Sequence, residues 1–137
     1  MIELVPVPPS HIDRAWWKDG AHKLAEACAT SGGEITGDQL KMMLSRGERT
    51  LMGMKRDGVF VGWGVIFTDQ RPNFRVLHVG EMYAPGAGFP EFFEELKKFA
   101  DATGHSRVRF SAKPSQARLY RAKLGAQSVY ETLEVVL

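Results

Sequence analysis

From Thr50 to Tyr83 the chain carries three strand patterns in succession, and helical patterns lie on both sides of them. Thr50-Leu51-Met52-Gly53-Met54 reads as a strand, Arg56-Asp57-Gly58 as a tight turn, and Val59 to Phe67 as the hairpin partner. Asp69 to Asn73, with Pro72, turns the chain into a third strand from Arg75 to about Tyr83. Strands joined by short turns run antiparallel, whereas parallel strands need a long crossover. The run therefore argues against a purely parallel doubly wound sheet and for a mixed sheet flanked by helices.

The flanking segments fill in the order. Ile2, Leu4, Val5 and Val7 give a short first strand, stopped by Pro8-Pro9. Ser10 can cap a helix running towards Thr30, with Ile12, Trp16, Leu24 and Cys28 on roughly one side and Gly20 as a point of interruption. Thr36 or Asp38 can cap a second, short helix through Leu40, Met43 and Leu44. After the three strands comes the clearest helix. Phe89, Phe92, Phe93, Leu96, Phe99 and Ala100 fall on one face, and Glu91, Glu94, Glu95, Lys97, Lys98 and Asp101 on the other. Arg107 to Ser111 alternates like a half-exposed strand, Ser115 can cap a helix through Leu124 closed by Gly125, and residues 128–137 read as strand-rich. The expected order is β-α-α-β-β-β-α-β-α-β: an α/β (α+β) fold, residues 1–137 forming one domain.

With 137 residues, 44% of them hydrophobic and 25% charged, the chain can bury an ordinary core without a metal or a disulfide staple. The single cysteine, Cys28, cannot make an internal disulfide, which suits a reducing, cytoplasmic setting. No apolar run approaches the ~20 residues of a membrane span, and the first residues lack the basic and apolar regions of a signal peptide. A net charge of +2 excludes a polyanion-binding tail. The charge is unevenly spread, however. Six basic residues and no acid lie between Ala102 and Tyr130, and Arg107, Arg109, Arg118 and Arg121 can form a cluster. Such a cluster suits the phosphates of a ligand, an acidic protein partner, or a solvated face. Nucleic acid is the least supported, since only Phe110 and Tyr120 interleave as stacking residues.

No Walker sequence, nucleophile elbow, His-Glu-x-x-His or paired-cysteine site is present. His11 and His22 lack a third ligand, so no metal site is expected. Of the adjacent pair Trp16-Trp17, only one indole can face the core. His78 and Glu81, three apart on one strand, are expected on opposite faces. Between a strand and a helix stands Tyr83-Ala84-Pro85-Gly86-Ala87-Gly88. Glycines there let a backbone approach phosphates closely, and a helix N-terminus points N–H groups at negative charge. Glu91, in the first helical turn, stabilises the helix and competes with a phosphate for the same groups.

That loop, its place in the element order, and the segment Ser115-Gln116-Ala117-Arg118-Leu119-Tyr120-Arg121-Ala122-Lys123-Leu124-Gly125-Ala126 resemble the GNAT N-acetyltransferase superfamily. The likeness covers essentially the whole chain and extends to the small GNAT-like proteins of some phages. It implies a central mixed sheet of six to seven strands with about four helices. It also implies acetyl-CoA, or another acyl-CoA, as cosubstrate and an amine of a small molecule or protein as acceptor, with no metal. The resemblance puts the pantetheine along Met82, Tyr83 and Ala84, and the pyrophosphate on Gly86, Ala87, Gly88 and Phe89. It assigns Glu81 as the base and Tyr120 as the acid for the departing thiolate, and it uses the first two helices to wall the acceptor site. Tyr83 stands where the family has Gln or Arg, and counting from Gly125 places the family tyrosine at Arg121, with Tyr120 one residue early. One residue of helix is about 100° of rotation. A second reading is a catalytically degenerate, phage-encoded GNAT-like domain that binds another protein.

Overall fold

The computed structural model of the chain describes residues 2–85 and 89–137. β1 (Glu3–Val7) pairs antiparallel with β2 (Thr50–Arg56), and β2 in turn with β3 (Val59–Gln70). Asp57 and Gly58 make the turn between them with φ of 53° and 78°. Both left-handed positions are what a two-residue hairpin turn needs, and Asp-Gly is among the pairs that adopt them at least cost. β4 (Arg75–Tyr83) returns antiparallel to β3, and β5 (Arg107–Phe110) adds parallel to β4. The described sheet is five-stranded and mixed, in the order β1-β2-β3-β4-β5.

Each face of the sheet has its own core. On one side α1 (Ile12–Trp17), α2 (Ala25–Ala29) and α3 (Gly37–Ser45), with the turn before α2, bury Ile12, Trp16, Leu24, Cys28, Leu40 and Leu44 against Leu51, Trp63 and Val65. On the other, α4 (Phe89–Ala102) lays Phe92, Leu96 and Ala100 on Met52, Met54, Ile66, Leu77 and Val79. Each large side chain sealed this way stabilises the fold by about 2 kcal/mol. α5 (Pro114–Leu124) follows β5 and stops at Gly125, whose φ is 66°. Thr36 caps α3 reciprocally with Gln39, at 3.2 and 3.0 Å.

Three expectations change. The helix expected from Ser10 towards Thr30 is broken: α1 ends at Trp17, Gly20 takes φ 101°, and a 3-10 turn over Ala21–Leu24 leads into α2. The break costs the core nothing, because Ile12, Trp16, Leu24 and Cys28 all remain buried. Among the described residues the sheet has five strands rather than six to seven, and there are five α-helices rather than about four. Residues 128–137, expected as a strand, form none. An alternating pattern becomes a strand only when it pairs in a ladder, and this segment pairs with none of the described strands. No helix among the described residues is long and apolar enough to cross a membrane.

Candidate functional site

β4 outruns its neighbour. The parallel pairing with β5 begins at Val76 and Arg107 and ends at Val79 and Phe110, while β4 continues to Tyr83. Gly80, Glu81, Met82 and Tyr83 therefore leave their β5-side edge open. Their β3 side is paired but irregular. Val79 stands opposite Ile66 and Met82 opposite Gly64, so the single residue Val65 faces both Gly80 and Glu81. That is a β-bulge, and it re-aims the side chain that follows it.

The bulge overturns the expected separation of His78 and Glu81. Strict alternation would send them to opposite faces, but the extra residue brings Glu81 back to the side of α1, α2 and α3. Arg49 spans the two positions. Its Nη1 lies 3.7 Å from Glu81 Oε1, and its guanidinium lies 4.5 Å from the Phe67 ring, which stacks on His78 at 4.7 Å. Glu81 Oε1 is buried and accepts no hydrogen bond among the described residues. Cys28 is sealed nearby; burial first, and the Glu81 charge second, push its thiol up, so it stays a protonated, inert side chain. His78 Nε2 lies 3.1 Å from Ser111 Oγ. Burial, then the Arg49 charge, hold this imidazole below its ordinary value, so it is neutral at pH 7.

Tyr120 sits across the end of β5. It stacks on Phe89 at 5.0 Å and tilts against Phe110 at 4.8 Å, and burial pushes its phenol up. Its hydroxyl has no hydrogen-bond partner among the described residues. Arg121 turns the other way and donates to Ser128 Oγ at 2.8 Å. Tyr120, not Arg121, thus faces α4 and β5.

A cavity of about 340 Å³ opens on the other side of the β4 end, walled by Asp19, Gly20, Lys23, Phe60, Trp63 and Tyr83. Phe60 and Trp63 stack at 4.4 Å, and Lys23 Nζ lies 5.7 Å from the Tyr83 ring centre. Asp19 and Lys23 bring one charge of each sign to this aromatic wall, a combination suited to a small polar ligand with an apolar body.

No protein-family profile matches the sequence, and no curated protein does. Solved structures do match, over the whole chain. A ribosomal-protein-alanine N-acetyltransferase from Brucella melitensis biovar Abortus 2308 superposes with a TM-score of 0.68 at 15% identity, covering 100% of both chains. A possible acetyltransferase from Clostridium difficile 630 gives 0.72 at 15% identity, covering 100% of this chain and 98% of that one. An aminoglycoside acetyltransferase from an uncultured soil metagenomic sample, in complex with sisomicin, gives 0.69 at 9% identity, covering 99% and 96%. This is a GNAT-type acetyltransferase fold.

Within the GNAT fold the positions singled out from sequence separate into groups. Met82 and Ala84 pack on the α4 side, and Tyr83 on the α1–α3 side beside the cavity. Phe89 opens α4 and stacks on Tyr120. Gly86, Ala87 and Gly88 lie outside the described residues. Glu81 and Tyr120 occupy separate clusters, one on the bulge and one between α4, β5 and α5. Of the basic cluster, Arg107 and Arg109 share the Phe74 ring, at 4.8 and 5.4 Å, while Arg121 is turned to Ser128. Trp16 is core and Trp17 exposed, as adjacency required. Among the described residues no group of three or more His, Cys, Asp or Glu is placed to hold a metal.

Three positions at these clusters escaped the sequence reading: Arg49, Arg56 and Asp19. Arg56 Nη2 lies 3.0 Å from Glu91 Oε1, so the acid in the first turn of α4 is balanced by a cation from the far end of β2. Neither arginine lies near its partner in sequence, and no local pattern could have announced the pairs.

Proposed function

We propose that the chain is an acyl-CoA-dependent N-acyltransferase that moves an acetyl group from acetyl-CoA to an amine. The observation that carries this reading is the open end of β4, where the sheet parts after Val79 and Phe110 and the bulge delivers Glu81. The open edge over residues 80–83 gives unpaired backbone groups for an extended amide-bearing chain such as pantetheine. Arg56, held at the start of α4, supplies a cation near the N–H groups that would receive a pyrophosphate. The residues present fit the cosubstrate.

Acetyl-CoA supplies an activated acyl group as a thioester. Glu81 accepts a proton from the amine, directly or through one water, as the C–N bond forms. Backbone N–H groups on the open β4 edge donate to the carbonyl oxygen where negative charge develops. Tyr120, kept protonated by burial, gives its proton to the sulfur as the C–S bond breaks. The acceptor is a small amine, its cation beside Asp19 and its body against Phe60, Trp63 and Tyr83. The like-folded aminoglycoside acetyltransferase bound to sisomicin supports the small-amine class.

Thermal unfolding with acetyl-CoA tests the cosubstrate, and release of free thiol with a panel of small amines tests the reaction. Ligand at a hundredfold excess over its dissociation constant should raise the midpoint by on the order of 10 °C. No shift at millimolar acetyl-CoA would overturn the proposal.

A further inference from the structure

The proposed acyl transfer makes no use of Arg71, Arg107 or Arg109, which gather with two aromatic rings where β4 begins. A groove of about 620 Å³ opens there, lined by Arg71, Asn73, Phe74, Arg109 and Tyr130. Its turn, Arg71 to Phe74, precedes β4, whereas the edge proposed for pantetheine is the far end of that strand. The nine residues of β4 span roughly 26 Å. The groove is a separate place on the molecule.

Arg109 lies at its centre. The guanidinium is 5.4 Å from the Phe74 ring centre and 5.8 Å from that of Tyr130, and the Arg107 guanidinium is 4.8 Å from Phe74. A guanidinium meets a ring through its face and keeps its in-plane N–H groups for an acceptor. Arg109 Nε is buried and donates to no described group. Arg71 is partly engaged: its Nε lies 3.2 Å from Asp69 Oδ2, and its Nη2 donates to the Tyr130 hydroxyl at 3.4 Å. Asp69 stands against three arginines, and no acid occurs from residue 102 to residue 130. The groove is therefore net positive and suits an anion.

The anion has a body. A space of this size is that of a ligand pocket and exceeds what a bare phosphate fills. Tyr130 is 64% exposed and offers a flat face to stack on. Asn73 carries donor and acceptor together, as the edge of a nucleobase requires. We propose that this groove binds a mononucleotide, its phosphate forked on Arg109 with Arg71 beside it, and its base laid on Tyr130 within reach of Asn73. The phosphate gives the buried Arg109 Nε an acceptor, and the base covers the exposed ring.

Calorimetric titration with adenosine monophosphate tests this, with adenosine and inorganic phosphate titrated alongside. The mononucleotide is expected to bind at least roughly tenfold more tightly than either half, and more weakly as salt rises. Arg109→Gln and Tyr130→Leu should each weaken it by roughly tenfold or more. Arg109→Lys, which keeps the charge and loses the fork, should weaken it less than Arg109→Gln does. All three variants should keep the far-UV circular dichroism and the acetyl-CoA response of the parent, since neither residue lies on the 80–83 edge. No binding at millimolar mononucleotide would overturn the proposal. So would inorganic phosphate binding as tightly as the mononucleotide, or a mononucleotide affinity indifferent to both Arg109→Gln and Tyr130→Leu.

Discussion

Arg49 Nη1 reaches within 3.7 Å of Glu81 Oε1 above the bulge of β4, with the two side chains only 28% and 14% exposed. The same guanidinium lies on Phe67, so one residue, placed just before β2, holds the carboxylate and covers the strand beside it. A charge with so little solvent depends on that partner.

Arg49→Met should therefore destabilise the fold by about 1–3 kcal/mol, because it leaves a poorly solvated carboxylate uncompensated. Adding Glu81→Gln should recover part of the loss, since an amide there needs no cation. Urea unfolding of the two single variants and the double variant measures the coupling. Strictly additive losses would show that the pair is not an interacting unit.

Under the proposed reaction, Glu81→Gln should lower kcat by roughly 10²-fold or more while leaving the acetyl-CoA-induced thermal shift in place. Tyr120→Phe should likewise lower kcat and leave stability unchanged, because the hydroxyl bonds to no described residue. The raised phenol also predicts that the rate does not fall on the alkaline side until beyond the ordinary tyrosine range. Steady-state kinetics across pH, with melting curves of the same proteins, separates these effects.

Backbone packing at the end of β4 gives a sharper contrast. A Cβ on Gly62 would stand 2.9 Å from the Tyr83 carbonyl oxygen and 3.3 Å from Ala84 Cα, both main-chain atoms that cannot swing aside. Gly62→Ala should cost about 1–3 kcal/mol by forcing β3 and β4 apart. Gly64→Ala, two residues on, meets only side-chain atoms at 3.6–3.8 Å and should change stability by less than about 0.5 kcal/mol. Chemical denaturation of both variants decides the point.

His105 predicts the acid limb of stability. Its Nδ1 lies 2.8 Å from Thr103 Oγ1 and its Nε2 2.9 Å from Thr68 Oγ1, tying the end of α4 to β3. Burial, with Arg75 adding to it and the Ala100 carbonyl opposing it, holds the imidazole below its ordinary value. The unfolded chain then binds the proton more tightly than the folded one, so stability is full above the unfolded value near 6.5 and declines as pH falls below it. His78 is shifted in the same direction and adds to the slope. Urea midpoints measured from pH 7.5 down to pH 5 should fall, and His105→Gln should flatten part of that fall.

What could be read from sequence was whatever is decided within a few residues. The Asp57-Gly58 turn, the Thr36 cap and the apolar stripe of α4 all follow from local rules and appear as expected. The Gly80–Glu81 bulge could not be read, because it is a property of two strands in register and leaves no mark on one of them. The face shared by His78 and Glu81, and Arg49 above them, follow from the bulge and were missed with it. Tyr120 was legible only as one of two rotations about α5, and the aromatic side chains Phe89 and Phe110 decide between them. Residues 128–137 show the opposite failing: a good strand pattern that pairs with no described strand.

The three tryptophans divide the molecule optically. Trp16 is sealed in the core, Trp17 stands 60% exposed on the surface, and Trp63 faces Phe60 on the wall of the 340 Å³ cavity. An external quencher in solution will silence Trp17 and leave the other two bright. A compound entering the cavity will instead alter Trp63 alone, so the protein's own fluorescence, with Trp17 quenched, becomes a gauge of occupancy that needs no label and no turnover.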